Sequence, residues 1–221
     1  MNPLLMSAAL ARAFDHAVRC TIVDVLDEAY QLAGERCDEK IGCNGVTFGT
    51  DLYQFAKFRF QGCGDREAAP ITLGETSSDM ELRLKVGEFT VACHRVGASA
   101  TEDIAVCFPS STGGPGRLAR LNAVQLELPF EEAGDDALPH NVVIAHLGNP
   151  AHGLEAVYFA VPRSASESGK VNGWAHTELI WRWDGEDVQP VVTADLPPAV
   201  PIADTEVELR GDVTGSEDVG S

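Results

Sequence analysis

The chain has 221 residues and a formal net charge of −18 at pH 7, with 44% apolar and 23% charged residues. That length holds one large domain or two small ones with a sizeable core, and the composition is ordinary for a globular protein. The negative charge argues against general attraction to DNA or RNA, whose phosphates repel it, and no apolar run in the sequence reaches the ~18–20 residues that span a bilayer.

Leu10, Phe14, Val18, Ile22, Val25, Ala29 and Leu32 recur at three- and four-residue steps, the spacing of one helical face. They predict one amphipathic helix, capped by Ser7 and ending near Gly34. Residues 4–11 are apolar and include Ala9-Leu10-Ala11, but without a basic n-region they read as the start of this helix rather than as a signal peptide. Residues 37–47 read as a loop broken by Gly42 and Gly45. A second, shorter helix follows, capped by Thr50 or Asp51 and carrying Leu52, Phe55 and either Phe58 or Arg59, although Phe58 and Phe60 also alternate like a strand. Gly62-Cys63-Gly64-Asp65 ends it.

From residue 80 the period changes to two. Leu82, Leu84 and Val86 alternate with charged residues, Gly87-Glu88 supplies a turn, and Phe89, Val91 and Cys93 alternate again, which predicts a hairpin. Residues 104–108, 142–147, 154–161, 177–183 and 188–193 are further candidate strands, with 142–147 and 154–161 joined as a hairpin through residues 148–153. Helices followed by strands, without regular βαβ alternation, predict an α+β fold with N-terminal helices on a largely antiparallel sheet. The expected organisation is one domain over residues 1–196, with a helical part (1–62) and a β-rich part (80–193) whose sheet is built only after a boundary between 62 and 80. Residues 127–140 form an acidic connector, and the Pro-, Gly- and acid-rich residues 197–221 are expected to be a disordered tail.

Charge is concentrated in the connector and the tail. Residues 127–136 hold five acids and no base, and residues 184–221 hold ten acids against Arg210 alone. Together they carry −14 of the total. Six cysteines (Cys20, Cys37, Cys43, Cys63, Cys93 and Cys107) show no dense framework and no C-x-x-C pair, so reduced thiols and a cytoplasmic location are expected, with Cys93 and Cys107 packed as small hydrophobes.

The peptide Gln125-Leu126-Glu127-Leu128-Pro129-Phe130 stands at the head of the connector. It resembles the motif by which bacterial DNA polymerases and repair proteins dock on the replicative sliding clamp. The resemblance covers six of the 221 residues and implies no family for the rest. It implies a hydrogen bond from Gln125 at the mouth of a groove, apolar anchors at Leu126, Leu128 and Phe130, and a chain held extended by Pro129. Leu118, Leu121, Val124 or Gln125, and Leu128 also fit helical spacing, the competing arrangement in which the peptide completes a packed helix and its leucines pack on the domain.

Other chemistry is sparse. His146 and His152 bracket the 148–153 turn, with Asn149 between and Glu155 beyond, a grouping that suits metal binding or acid–base work. Their six-residue separation matches no recognised ligand spacing, so no metal or cofactor is expected. Residues 110–116 lack the Gly-Lys-Ser/Thr ending of a phosphate loop. Trp174, Trp181 and Trp183 read as core before they read as a stacking platform. The expected function is that of a non-enzymatic accessory or regulatory protein working through protein contacts, linked to replication or repair by the hexapeptide. The alternatives are a small hydrolase or metal-dependent enzyme using His146, His152 and Glu155, and an acidic partner that neutralises a basic protein.

Overall fold

Asp15 divides the N-terminal helical pattern in two. A computed structural model describes residues 3–64, 71–75, 82–104, 118–122, 141–165 and 171–183, all within the unit Met1–Val188. In it, α1 (Pro3–Ala13) and α2 (His16–Arg36) replace the expected single helix, and Ser7 lies inside α1 rather than at a cap. The Asp15 carboxylate accepts the Val18 N–H at 3.0 Å, an N-cap that competes with helix continuation. Phe14, fully buried at the break, packs on Phe159 and Phe89 at 4.5 and 5.6 Å between ring centroids. Arg19 donates to the Phe14 carbonyl at 2.7 Å and pairs with Glu178 at 2.6 Å, tying the corner to the sheet.

The following loop differs from expectation in its covalent chemistry. Cys37 and Cys43, expected as reduced thiols, form a disulfide with Cα atoms 5.2 Å apart. A 3-10 turn, Glu39–Ile41, and Gly42 at φ +95° fold the intervening chain back on itself, which brings the sulfurs together. Among the described residues Cys20, Cys63 and Cys93 take no part in a disulfide. Helix α3 (Gly45–Gln61) starts earlier than Thr50 or Asp51 would allow. Asn44 caps it, accepting the Val46 and Thr47 N–H groups, while Thr47 Oγ1 accepts the Asn44 N–H in a reciprocal capping box. Its buried face is Phe48, Leu52, Ala56 and Phe60, and Phe58 is 67% exposed. Arg59 pairs with Glu28 at 2.5 Å, linking α3 to α2.

The fold is α+β. Six strands lie in sequence order: β1 (Ile71–Leu73), β2 (Leu82–Val86), β3 (Phe89–Gly97), β4 (Asn141–Asn149), β5 (Gly153–Ala165) and β6 (Val171–Arg182). The sheet thus begins at Ile71, ahead of residue 80. Both expected hairpins form, β2–β3 around Gly87 at φ +56° and β4–β5 around Gly153 at φ +77°. All neighbours are antiparallel except β3 and β4, which run parallel, an arrangement that requires a crossover connection between them. Ile104, expected at the start of a strand, has helical backbone, and residues 105–108 and 188–193 lie outside the described residues, as do Cys107, the connector and the tail.

Each sheet face is covered differently. The helices bury Leu84, Val91, Val142, Ile144, Val157 and Phe159 on one face. On the other, Val143, Ala145, Leu147, Ala156 and Ala160 pack against Val96, Ile104 and Ala119, the last two supplied by the crossover. Burial on both faces explains why β4 and β5 read as near-continuous apolar runs. No helix among the described residues is long and apolar enough to cross a membrane.

Candidate functional site

Parallel pairing sets Arg95 of β3 directly beside His146 of β4. Strand alternation turns both toward the helices, in line with the apolar Val91 and Val142. Two polar side chains therefore interrupt apolar pleats at the same level. His146 is 5% exposed, and its Nδ1 lies 3.0 Å from the hydroxyl of Tyr30, a fully buried residue of α2. Burial pushes the His146 imidazole down to about 3, with His94 and Arg95 adding to the effect, so the ring is neutral at physiological pH. Burial also drives the Tyr30 hydroxyl upward, against the pull of the nearby Arg95 charge. With the Tyr30 hydroxyl donating to Nδ1, the proton of the neutral imidazole sits on Nε2.

Arg95 is held by two contacts. Its Nε donates to the Gly148 carbonyl at 3.0 Å, and its guanidinium lies 5.3 Å from the centre of the Phe48 ring. Among the described residues no carboxylate pairs with it. Cys93, two residues earlier on the same face, is buried, and its thiol is pushed up to about 12, which keeps it protonated and unreactive.

A cavity of about 270 Å³ opens between these strands and α3, near the lower end of the range for small-molecule sites (about 300–1,000 Å³). Leu52, Ala56, Leu82 and Cys93 supply apolar wall, Tyr53, His94, Arg95 and His146 the polar groups, and Gly49 part of the rim. Gly49 is anomalous on energetic grounds. It sits in the interior of α3, where glycine costs about 1 kcal/mol relative to alanine, yet a Cβ there would meet nothing within 4 Å. Packing within the chain does not require it.

The buried imidazole has a measurable consequence. The unfolded chain protonates His146 near its ordinary value of 6.5, whereas the folded protein refuses the proton until about 3. This contribution is therefore fully present above pH 6.5 and lost as pH falls toward 3, at about 1.4 kcal/mol per pH unit once well below 6.5. His94, also lowered by burial, acts in the same direction. Urea unfolding at pH 7.5 and 5.0 should show a loss of about 2 kcal/mol attributable to His146, and His146→Gln should remove that part. An equally steep profile in the variant would show that His146 is not buried neutral.

The two histidines singled out in the sequence do not share a site. His146 lies under the helices, while His152 is largely exposed at the β4–β5 turn, with Nδ1 3.4 Å from Glu155 and its ring 5.9 Å from that of Trp183. Glu155, 7% exposed, accepts the Ala100 N–H and the Asn149 Nδ2–H, both at 2.8 Å. Asn149 also bonds the Ala98 carbonyl and the Ala151 and His152 N–H groups. Asn149 and Glu155 thus fasten the 98–101 loop to the hairpin tip. Among the described residues no group of His, Cys, Asp and Glu is arranged to hold a metal. Trp174 packs on the second sheet face and Trp181 against the helical core, so the tryptophans do not line one pocket.

Gln125, Leu126, Leu128, Pro129 and Phe130 lie outside the described residues. The nearest described residues on either side are Asn122 and Asn141. Asn122, in the helical stretch 118–122, is fully buried and donates through Nδ2 to the Asn141 and Pro162 carbonyls at 2.9 Å each. Its Oδ1 accepts from Asn141 Nδ2 at 2.9 Å.

The sequence reading missed Gly49, Tyr30, Arg95 and Asn122. A signal existed for two of them. Gly49 breaks a helical pattern from within, and Arg95 stands where the Val91-Cys93 alternation calls for an apolar residue. No protein-family model matches the chain, and neither the curated proteins nor the solved structures contain a match.

Proposed function

We propose that the protein is a non-enzymatic accessory or regulatory subunit that docks on a protein partner through Gln125, Leu126, Leu128, Pro129 and Phe130, with a replicative sliding clamp as that partner. The observation that supports this is the buried Asn122–Asn141 pair. It joins the two ends of the stretch 123–140, so the cost of closing that stretch is met by the fold itself. A partner that engages the hexapeptide then need not disturb the sheet. The acids after Phe130 favour solvent over the apolar core. The separate surroundings of His146 and His152 give the enzyme alternative no shared centre, and nothing favours the acidic-neutraliser alternative.

A cytoplasmic location belongs to the same proposal. The Cys37–Cys43 disulfide speaks against it, since such bonds are rare where glutathione and thioredoxin keep thiols reduced.

The test is binding to the sliding clamp of the native host, measured by surface plasmon resonance. Wild-type protein should bind with a Kd on the order of micromolar. Changing Gln125, Leu128 and Phe130 to alanine should abolish binding and leave the thermal midpoint unchanged. No binding by the wild type ends the replication link, and unfolding by the triple change assigns the leucines to the core.

A further inference from the structure

The cavity beside α3 combines three features that point to a ligand. Arg95 brings a guanidinium to its polar end with no carboxylate partner among the described residues, although the chain carries a net charge of −18. His146 spends Nδ1 on Tyr30, and its Nε2 makes no hydrogen bond among the described residues. Gly49 holds the rim clear at a helix-interior position where the chain's own packing would admit a side chain. A mere packing fault carries no reason to set a cation and a neutral N–H side by side, and none to keep a glycine in a helix.

We propose that this cavity binds a small organic monocarboxylate, with the Arg95 guanidinium and the His146 Nε2–H donating to its carboxylate and Leu52, Ala56 and Leu82 receiving its apolar body. The ligand class follows from the lining. A planar guanidinium matches a carboxylate with two parallel N–H donors, and the second donor comes from an uncharged ring, so a single formal positive charge faces the ligand. That balance suits a monoanion and disfavours a phosphate dianion. The rest of the lining is mostly apolar, with Leu52, Ala56, Leu82 and Cys93 beside Tyr53 and the largely buried His94, and it rewards a hydrocarbon or aromatic body. Tyr30, which bonds His146 Nδ1, is a positioning residue that sets which imidazole nitrogen carries the proton. This site is independent of the docking peptide, and neither proposal requires the other.

The experiment uses the full chain and a probe panel of acetate, butyrate, hexanoate and benzoate, with benzyl alcohol and inorganic phosphate as controls, read by calorimetry and by thermal midpoint. Benzoate or hexanoate should bind at least tenfold more tightly than acetate, phosphate or benzyl alcohol, and should raise the midpoint by several degrees at saturation. Gly49→Leu and Gly49→Met place a side chain in the cavity and improve the helix, so they should lose binding at least tenfold while keeping or raising the ligand-free midpoint. Gly49→Ala should raise the midpoint and retain binding. Two blocking variants guard against one failing to fold. No binding by any carboxylate, equal binding by benzyl alcohol, or undiminished binding in a folded blocking variant overturns the assignment.

Discussion

Gly148→Ala is expected to cost about 3–5 kcal/mol, toward the upper end for a single added methyl. A Cβ at Gly148 would fall inside the van der Waals envelope of the Gly153 carbonyl oxygen and 2.6 Å from Tyr30 Cε1. Neither neighbour yields cheaply. The carbonyl belongs to the turn of the same hairpin, paired at Asn149↔Gly153, and Tyr30 is fully buried between α2 and the sheet. Moving the ring would also break its hydrogen bond to His146, leaving a buried imidazole acceptor unsatisfied at a further cost of about 1–3 kcal/mol. Against a typical total stability of about 5–15 kcal/mol this approaches loss of the fold, and the thermal midpoint should drop by roughly 10 °C or more. Tyr30 supplies a control. In a Tyr30→Ala background the same glycine change should cost markedly less, because one of the two obstacles is gone. Equal costs in both backgrounds would sink this account of the contact.

Asn122→Ala is expected to cost about 3 kcal/mol or more. It removes one side chain that serves three buried groups, the carbonyls of Asn141 and Pro162 and the Asn141 amide. Each group left without a partner costs about 1–3 kcal/mol, less where water reaches it. Asn122→Asp should be worse, since it loses both donated bonds and buries a charge. Urea denaturation measures the total, and amide exchange at the start of β4 reports whether the damage is local to that edge. A change under about 0.5 kcal/mol, the range of ordinary surface substitutions, would show that the 118–122 segment is only loosely held. It would also remove the support that the Asn122–Asn141 pair lends to a docking stretch between fixed ends.

Much of the architecture was legible in the chain itself, because it depends on neighbours in sequence. The switch from a three-to-four-residue period to a two-residue period separated helices from sheet. Gly87 and the 148–153 turn marked both hairpins, since tight turns demand particular local chemistry. The segregation of acids into residues 127–136 and 184–221 was equally plain.

Other features were decided by contacts distant in sequence. Asp15 breaks the first helix where Phe14 finds Phe89 and Phe159, rings 75 and 145 positions away. Strand β1 is three residues long, too short to show a period, and exists through its pairing with β2. The parallel β3–β4 pair, and with it the meeting of Arg95 and His146, follows from a crossover whose path no local pattern encodes. Periodicity reports which face a side chain takes. It does not report which strand lies alongside, and so only the tertiary structure could set a guanidinium, a neutral imidazole and a helix glycine around one cavity.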